Sequence, residues 1–363
     1  MKKRLFFITL FLFFVQHVVA QNLSKGKIIV VGVNVENNNC SEGGDYDKIY
    51  LVNLEDIENG YIFSLTDNRY DKSKDMLLEN EGIYTFERVG GLINKGTVIK
   101  LDIIESIKKN DVINGWKLVR RNRTFNLSGS GDQFFVIEGN SWNIKNNNVM
   151  LNKDNIISAY NSLNNWSSKI DNNSSSLPES ENDLRNITKH HFTPKDKNKK
   201  YRFYDGKTTP TSKNEWLIRL LNPDNWLSFD GCNQFVTHSN KVEYKKFTVI
   251  DNITKEACVN VPFILEVESD VDTTTNRISI QVNYEWFKTS TPTNTGGILI
   301  GTSRQINHTE TIAGTYYYYC KITYQLNWKN NGSDDSSLNT VNSGYIKVTV
   351  NQTKTSPILN FSE

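Results

Sequence analysis

Phe63-Ser64-Leu65-Thr66-Asp67-Asn68 runs from β-favouring residues straight into two side chains that bond their own backbone and stop a strand. Runs of the same kind precede and follow it at 27–33, 48–52, 61–65, 82–88, 97–103 and 133–138. Each is rich in Val, Ile, Tyr or Phe and bounded by Gly, Asn or Asp. Gly90-Gly91-Leu92, Gly96-Thr97-Val98 and Gly131-Asp132-Gln133-Phe134-Phe135 punctuate them. No helical pattern alternates with these early strands, which favours an antiparallel sandwich over a doubly wound sheet.

Two helices are expected later in the same half. Residues 154–163 place Ile156, Ile157, Tyr160 and Leu163 at helical intervals. In the other, Ser212 and Glu215 form a capping box, Trp216, Leu217, Leu220 and Leu221 make an apolar face, and Pro223 ends it. Between them, 172–200 is rich in Asn, Ser and charge and reads as a long loop. A boundary is expected near 230–240. Strands then follow at 245–250, 263–268, 278–287, 297–300, 314–326 and 344–350, a series that fits an immunoglobulin-like sandwich. The expected fold is mainly β: a sandwich-like domain with a few helices over 24–232, an Ig-like sandwich over 240–352 and a tail over 353–363.

Residues 1–20 read as an export signal. Lys2, Lys3 and Arg4 form the charged start, 5–15 the apolar stretch, and Val18-Val19-Ala20 the small-residue site before Gln21. The apolar run is short for a membrane span and none follows it, so no transmembrane segment is expected after signal removal. The destination is extracellular, cell-surface or periplasmic. A net charge of +2 and scattered basic residues give no footprint of a nucleic-acid binder.

Cys40, Cys232, Cys258 and Cys320 sit in an exported chain, where disulfides persist, and allow three connectivities. No Cys-x-x-Cys occurs, which disfavours structural zinc or a redox dithiol. The simplest pairing joins Cys40 to Cys232 and Cys258 to Cys320. Alternatively, Cys258 meets Cys232 and leaves Cys40 and Cys320 unpaired.

Tyr284-Glu285-Trp286-Phe287 and Gly314-Thr315-Tyr316-Tyr317-Tyr318-Tyr319-Cys320 make 245–352 resemble the Ig-like domains of secreted bacterial surface proteins. The resemblance implies a core Trp286 and a tyrosine corner drawn from Tyr316 and Tyr318. Cys320 lies two residues beyond the customary position and Cys258 ahead of the second strand, so the usual inter-sheet disulfide does not carry over. Residues 25–230 resemble a β-rich module of secreted bacterial proteins, and more distantly lamin-tail-like sandwiches, through Thr66-Asp67-Asn68, Gly131-Asp132-Gln133, Glu81-Gly82 and 215–226. That resemblance implies fold and export and brings no catalytic residue.

Asp67, Asn68 and Asp71, with Asp75 beside them, are oxygen donors that either hold Ca²⁺ or close a turn. Asp45 and Asp47 admit the same two readings. His190-His191 and the carboxylates Glu179, Glu181 and Asp183 fall in the polar loop, and His238 and His308 stand alone. Neither Gly-x-Ser-x-Gly nor His-Glu-x-x-His appears. Trp116, Trp142 and Trp166 adjoin Asn-rich segments, where exposed rings stack on sugars and buried rings fill a core. The leading expectation is an exported, non-catalytic interaction or adhesion protein, needing no cofactor, whose partner is a protein or glycan at the cell surface. A carbohydrate-binding protein, Ca²⁺-dependent or not, is the alternative; a secreted hydrolase built from dispersed carboxylates is a third.

Overall fold

The strand β1 (Ile28–Asn34) is buried at all seven positions, which requires cover on both faces of its sheet. That requirement organises the first assembly of sheets. The computed structural model describes residues 28–35, 46–71, 73–78, 81–104, 106–127, 132–145, 148–151, 155–161, 201–211, 213–221, 225–229, 245–249, 252–267, 278–330 and 333–352. The export signal, Trp166, Cys40, Cys232, Asp45, His190-His191, His238, the carboxylates 179–183 and the tail lie outside the described residues.

After β1 come β2 (Tyr46–Asn53), β3 (Ile62–Thr66), β4 (Tyr70–Asp71), β5 (Met76–Leu78), β6 (Ile83–Arg88) and β7 (Val98–Ile104). Next are β8 (Val112–Ile113), β9 (Trp116–Asn122), β10 (Gln133–Glu138), β11 (Asn143–Lys145), β12 (Asn148–Met150) and β13 (Ile156–Asn161). β14 (Tyr201–Tyr204), the helix α1 (Lys213–Leu221) and β15 (Trp226–Phe229) complete this assembly. One sheet has the order β15-β14-β1-β2-β7, the other β13-β10-β3-β6-β9-β8. Alternate residues of both, among them Ile28, Leu51, Leu101, Phe63, Phe86, Trp116 and Phe134, form the shared core.

Each outer face is covered as well. Trp216, Leu217 and Leu220 of α1 pack on Ile29, Val31, Tyr50 and Val52. On the opposite side a small sheet, β11-β12-β5-β4, closes over Ile83, Phe135 and Ile137 with Leu77, Val149 and Trp142. α1 is also held by a buried pair, Arg219 Nη2 to Glu215 Oε1 at 2.6 Å, while Glu215 Oε2 accepts from Thr211 Oγ1 at 2.8 Å.

Two sequence expectations need correction here. Residues 156–161 form a strand paired with β10, with a bulge between Val136 and Ile137. The bulged strand sends Ile157 and Tyr160 into the inner core and Ile156 into the outer one. Those positions also suit one face of a helix, and short apolar runs do not separate the two periods. Residues 245–248 are not a strand: Phe247 and Val249 pack with α1, and the Phe247 amide donates to the Gly96 carbonyl at 3.3 Å.

The second assembly comprises β16 (Ile253–Cys258), β17 (Phe263–Glu266), β18 (Ile278–Thr289), β19 (Ile298–Gly301), β20 (Gln305–His308), β21 (Gly314–Asn330), β22 (Ser333–Asn342) and β23 (Ile346–Asn351). Its larger sheet runs β16-β23-β21-β18-β19, with β22 also paired to β21; β17 and β20 pair separately. Trp286, Tyr318, Cys320, Val348 and Leu265 are buried in its core. The chain is therefore mainly β and rich in sandwich layers.

Cys258 and Cys320 carry free thiols, one exposed and one buried, which removes the expected bond between them. They lie on strands of one sheet with β23 between them. Two strand spacings, about 9.6 Å, exceed the Cα separation a disulfide tolerates. Burial pushes the Cys320 thiol up to about 12, so it stays protonated.

Candidate functional site

Thr66-Asp67-Asn68 forms a hydrogen-bonded knot around Gly82. The Gly82 amide donates to Asp67 Oδ1 at 2.7 Å, and the Asn126 amide donates to Asp67 Oδ2 at 2.8 Å. The Gly82 carbonyl accepts from Thr66 Oγ1 at 2.8 Å and from Asn68 Nδ2 at 3.0 Å. Asn68 Oδ1 accepts the Glu81 amide at 3.1 Å, and Gln133 Nε2 donates to the Asp67 carbonyl at 3.1 Å. Asp47 works in the same way nearby, accepting the Leu127 amide at 2.7 Å. Burial drives the Asp67 carboxyl well above its ordinary range; the Asn126 and Gly82 amides oppose this, while Glu81 and Asp132 add to it.

These oxygens close the strand end by accepting distant backbone amides rather than those of their own turn, and a cation would have to displace those donors. Asp71 is engaged in its own turn, accepting Ser73 N at 2.9 Å and Ser73 Oγ at 2.6 Å and pairing with Lys74 at 3.1 Å. Among the described residues no group of three or more His, Cys, Asp or Glu side chains could hold a metal ion.

Trp116 and Trp142 are each only 1% exposed, so neither presents a ring face to a sugar. Trp116 packs edge-on to Phe63 at 4.8 Å. Trp142 donates to Thr85 Oγ1 at 2.9 Å and lies under the Arg120 guanidinium at 3.5 Å. The sequence places both beside Asn-rich turns, but Trp116 turns inward from β9 and Trp142, in the loop before β11, is enclosed between Thr85 and Arg120. Trp142→Phe should lower stability by about 1 kcal/mol through loss of one buried hydrogen bond. Urea unfolding of this variant checks that.

The second assembly carries a cluster that the sequence did not single out. Glu310 Oε1 accepts from Tyr318 Oη at 2.6 Å, lies 2.5 Å from Lys288 Nζ and 2.9 Å from His308 Nε2. His308 is thus not isolated. Strand register assembles the group: Lys288 lies opposite Tyr318 on one side and opposite Ile298 on the other. Lys288 Nζ also sits 4.2 Å from the Tyr316 ring, and the Tyr316 hydroxyl donates to the Ile312 carbonyl at 2.9 Å. Ile298 is 72% and Ile312 69% exposed. Gly296 and Gly297, both at positive φ, lead into Ile298, and a side chain at Gly297 would collide with the Lys288 carbonyl. The result is a solvent-facing surface where Ile298 and Ile312 stand beside partly exposed Lys288 and His308, which pair with the buried Glu310.

Desolvation would raise the Glu310 carboxyl, but its bonds from Lys288, Tyr318 and His308 hold it below its ordinary value of 4.5. A carboxyl lowered by folding stabilises the native state above its unfolded value, and that contribution disappears as pH falls through the folded one. Glu310→Gln should therefore lose about 2 kcal/mol at neutral pH and show a flatter decline below pH 4.5 than the parent chain. Urea unfolding across pH 3–7 measures both effects.

No protein-family model and no curated protein matches the chain. Among the described residues no helix is long and apolar enough to cross a membrane.

Proposed function

We propose that the chain is an exported, non-catalytic protein of surface interaction, with its second assembly supplying the contact surface for a protein partner. The observation that carries this reading is the patch at Lys288 and Glu310, where Ile298 and Ile312 stand in solvent beside a charge-paired centre. Exposed apolar groups around a fixed polar centre are the anatomy of a binding surface rather than of a reaction centre. The acidic motif of the first assembly supports the reading from the other side, because its oxygens hold backbone amides. An Ig-like identity for the second assembly is supported by the buried Trp286, the Tyr316 hydroxyl bonded four residues upstream, and the parallel pairing of β16 with β23. The carbohydrate reading ranks below it because Trp116 and Trp142 are enclosed.

The test is binding of the labelled mature chain to intact cells of the producing organism, before and after treating them with protease or with periodate. Binding that protease abolishes, periodate spares and Ile312→Asp weakens supports a protein partner. Periodate-sensitive binding would transfer the reading to glycans. Absence of binding under all conditions would sink the proposal.

A further inference from the structure

Three connections meet at one end of the second assembly. β16 ends at Cys258, β18 at Thr289 and β20 at His308, while β17 begins at Phe263 and β21 at Gly314. Register brings these ends together: Cys258 lies opposite Asn351, Val350 opposite Gly314, Thr289 opposite Tyr317 and Phe263 opposite His308. Residues 259–262, 290–297 and 309–313 therefore form a common tip. The Asn260 amide joins the first and third by donating to the Glu310 carbonyl at 2.9 Å. Glu310 Oε1 holds the end of β18, where the second begins, through Lys288 at 2.5 Å. The chain enters this assembly at Ile253, the other end of β16, so the tip faces away from that entry.

The connections are shaped and pinned. Asn260, Gly296 and Gly297 take positive φ. The Tyr319 hydroxyl donates to the Gly296 carbonyl at 2.6 Å and the Tyr316 hydroxyl to the Ile312 carbonyl at 2.9 Å. A surface ordered in advance loses little freedom on binding. Each connection, or its border, sets an aliphatic side chain in solvent: Val261, Ile298 and Ile312.

Charge is missing from this tip. Of the whole chain 23% is charged, yet 258–264, 289–301 and 311–320 contain no Asp, Glu, Lys or Arg. Depletion of charge around exposed apolar groups is the composition of an interface core. The charges at its border are matched within the chain, since Glu310 takes Lys288, His308 and Tyr318 together. Rings for stacking on a sugar are not presented either: Tyr316 lies against Lys288, Tyr317 against Tyr345 and Phe263 against His308. A lipid surface is gripped by basic and aromatic side chains at its headgroups, and the tip offers no basic residue and no exposed ring.

We infer that the three connections form one docking tip for a neutral, apolar surface of a partner protein, held without charge attraction. The inference rests on the surface-interaction reading and supplies the kind of partner that reading leaves open.

The test is binding of the labelled mature chain to intact cells of the producing organism, repeated across salt and with charged variants. Between about 50 and 500 mM salt the affinity should change by less than about threefold, because no ion pair crosses the interface. Ile298→Asp and Ile298→Lys should both weaken binding at least about tenfold, since a charge of either sign is buried without a partner. Val261→Asp should do the same from another connection. Val112→Asp, at an exposed position of the first assembly, should leave binding within about threefold. Using both signs at Ile298 keeps the test open if one variant loses its folded circular-dichroism signal. Binding that falls steeply with salt, or that one sign of charge at Ile298 preserves, means a charged partner and overturns the inference. So does binding that Ile312→Asp weakens while the Ile298 and Val261 variants keep it, or that Val112→Asp weakens equally. Adsorption of the chain to phosphatidylcholine vesicles, lost in the Ile298 variants, would assign the tip to lipid and overturn it too. In all these outcomes the surface-interaction reading survives. A parent chain that binds no cells sinks that reading, and this inference with it.

Discussion

Asp67→Ala is expected to destabilise the first assembly by roughly 3–6 kcal/mol, because it leaves two buried backbone amides, those of Gly82 and Asn126, without acceptors. Against a total of about 5–15 kcal/mol for a natural domain, that loss is sufficient to populate unfolded molecules in buffer. Urea unfolding followed by circular dichroism measures it. Asp67→Asn should lose less, since the amide retains one acceptor oxygen and carries no charge into a site that disfavours one. A loss below about 1 kcal/mol in Asp67→Ala would mean that the carboxyl group does not organise the knot.

Gly82→Ala should be at least as damaging, and for a steric reason. A β-carbon at Gly82 would fall well inside contact distance of the Phe125 amide nitrogen and the Thr124 carbonyl carbon. Backbone atoms cannot rotate aside as a flexible side chain does, so 124–126 must move and take the Asn126 amide away from Asp67. Expression in inclusion bodies, or a urea midpoint displaced as far as that of Asp67→Ala, is the expected outcome. The Asp67→Ala and Gly82→Ala losses should combine to less than their sum, since both break one network. Full additivity would show that the two residues act separately.

Strands were the most legible part of the chain. Val, Ile, Tyr and Phe runs bounded by Asn, Asp and Gly locate β1, β2, β3, β6, β7 and β10 to within two residues, because β-branched and aromatic side chains need the room a pleated surface provides. The helix α1 was equally plain from Trp216, Leu217 and Leu220 and from the Pro223 stop. The strand at 156–161 was not, since a bulge makes its apolar positions imitate a helical face.

The candidate site was harder to read for a different reason. Lys288, His308, Glu310 and Ile298 are ordinary residues in ordinary local company, and only cross-strand register brings them together. Asp67 stood out as unusual in the sequence, yet the amides that its carboxyl accepts are not those of its sequence neighbours: Gly82 and Asn126 lie 15 and 59 residues away. By itself the sequence determined the β class, the positions of most strands and one helix, because those depend on side-chain pattern and backbone propensity over a few residues. Tertiary structure alone decided that Trp116 and Trp142 are core, that Cys258 and Cys320 stay apart, and that a lysine, a histidine and a tyrosine converge on Glu310. Those outcomes rest on which strands become neighbours, and long-range pairing leaves no trace in local pattern.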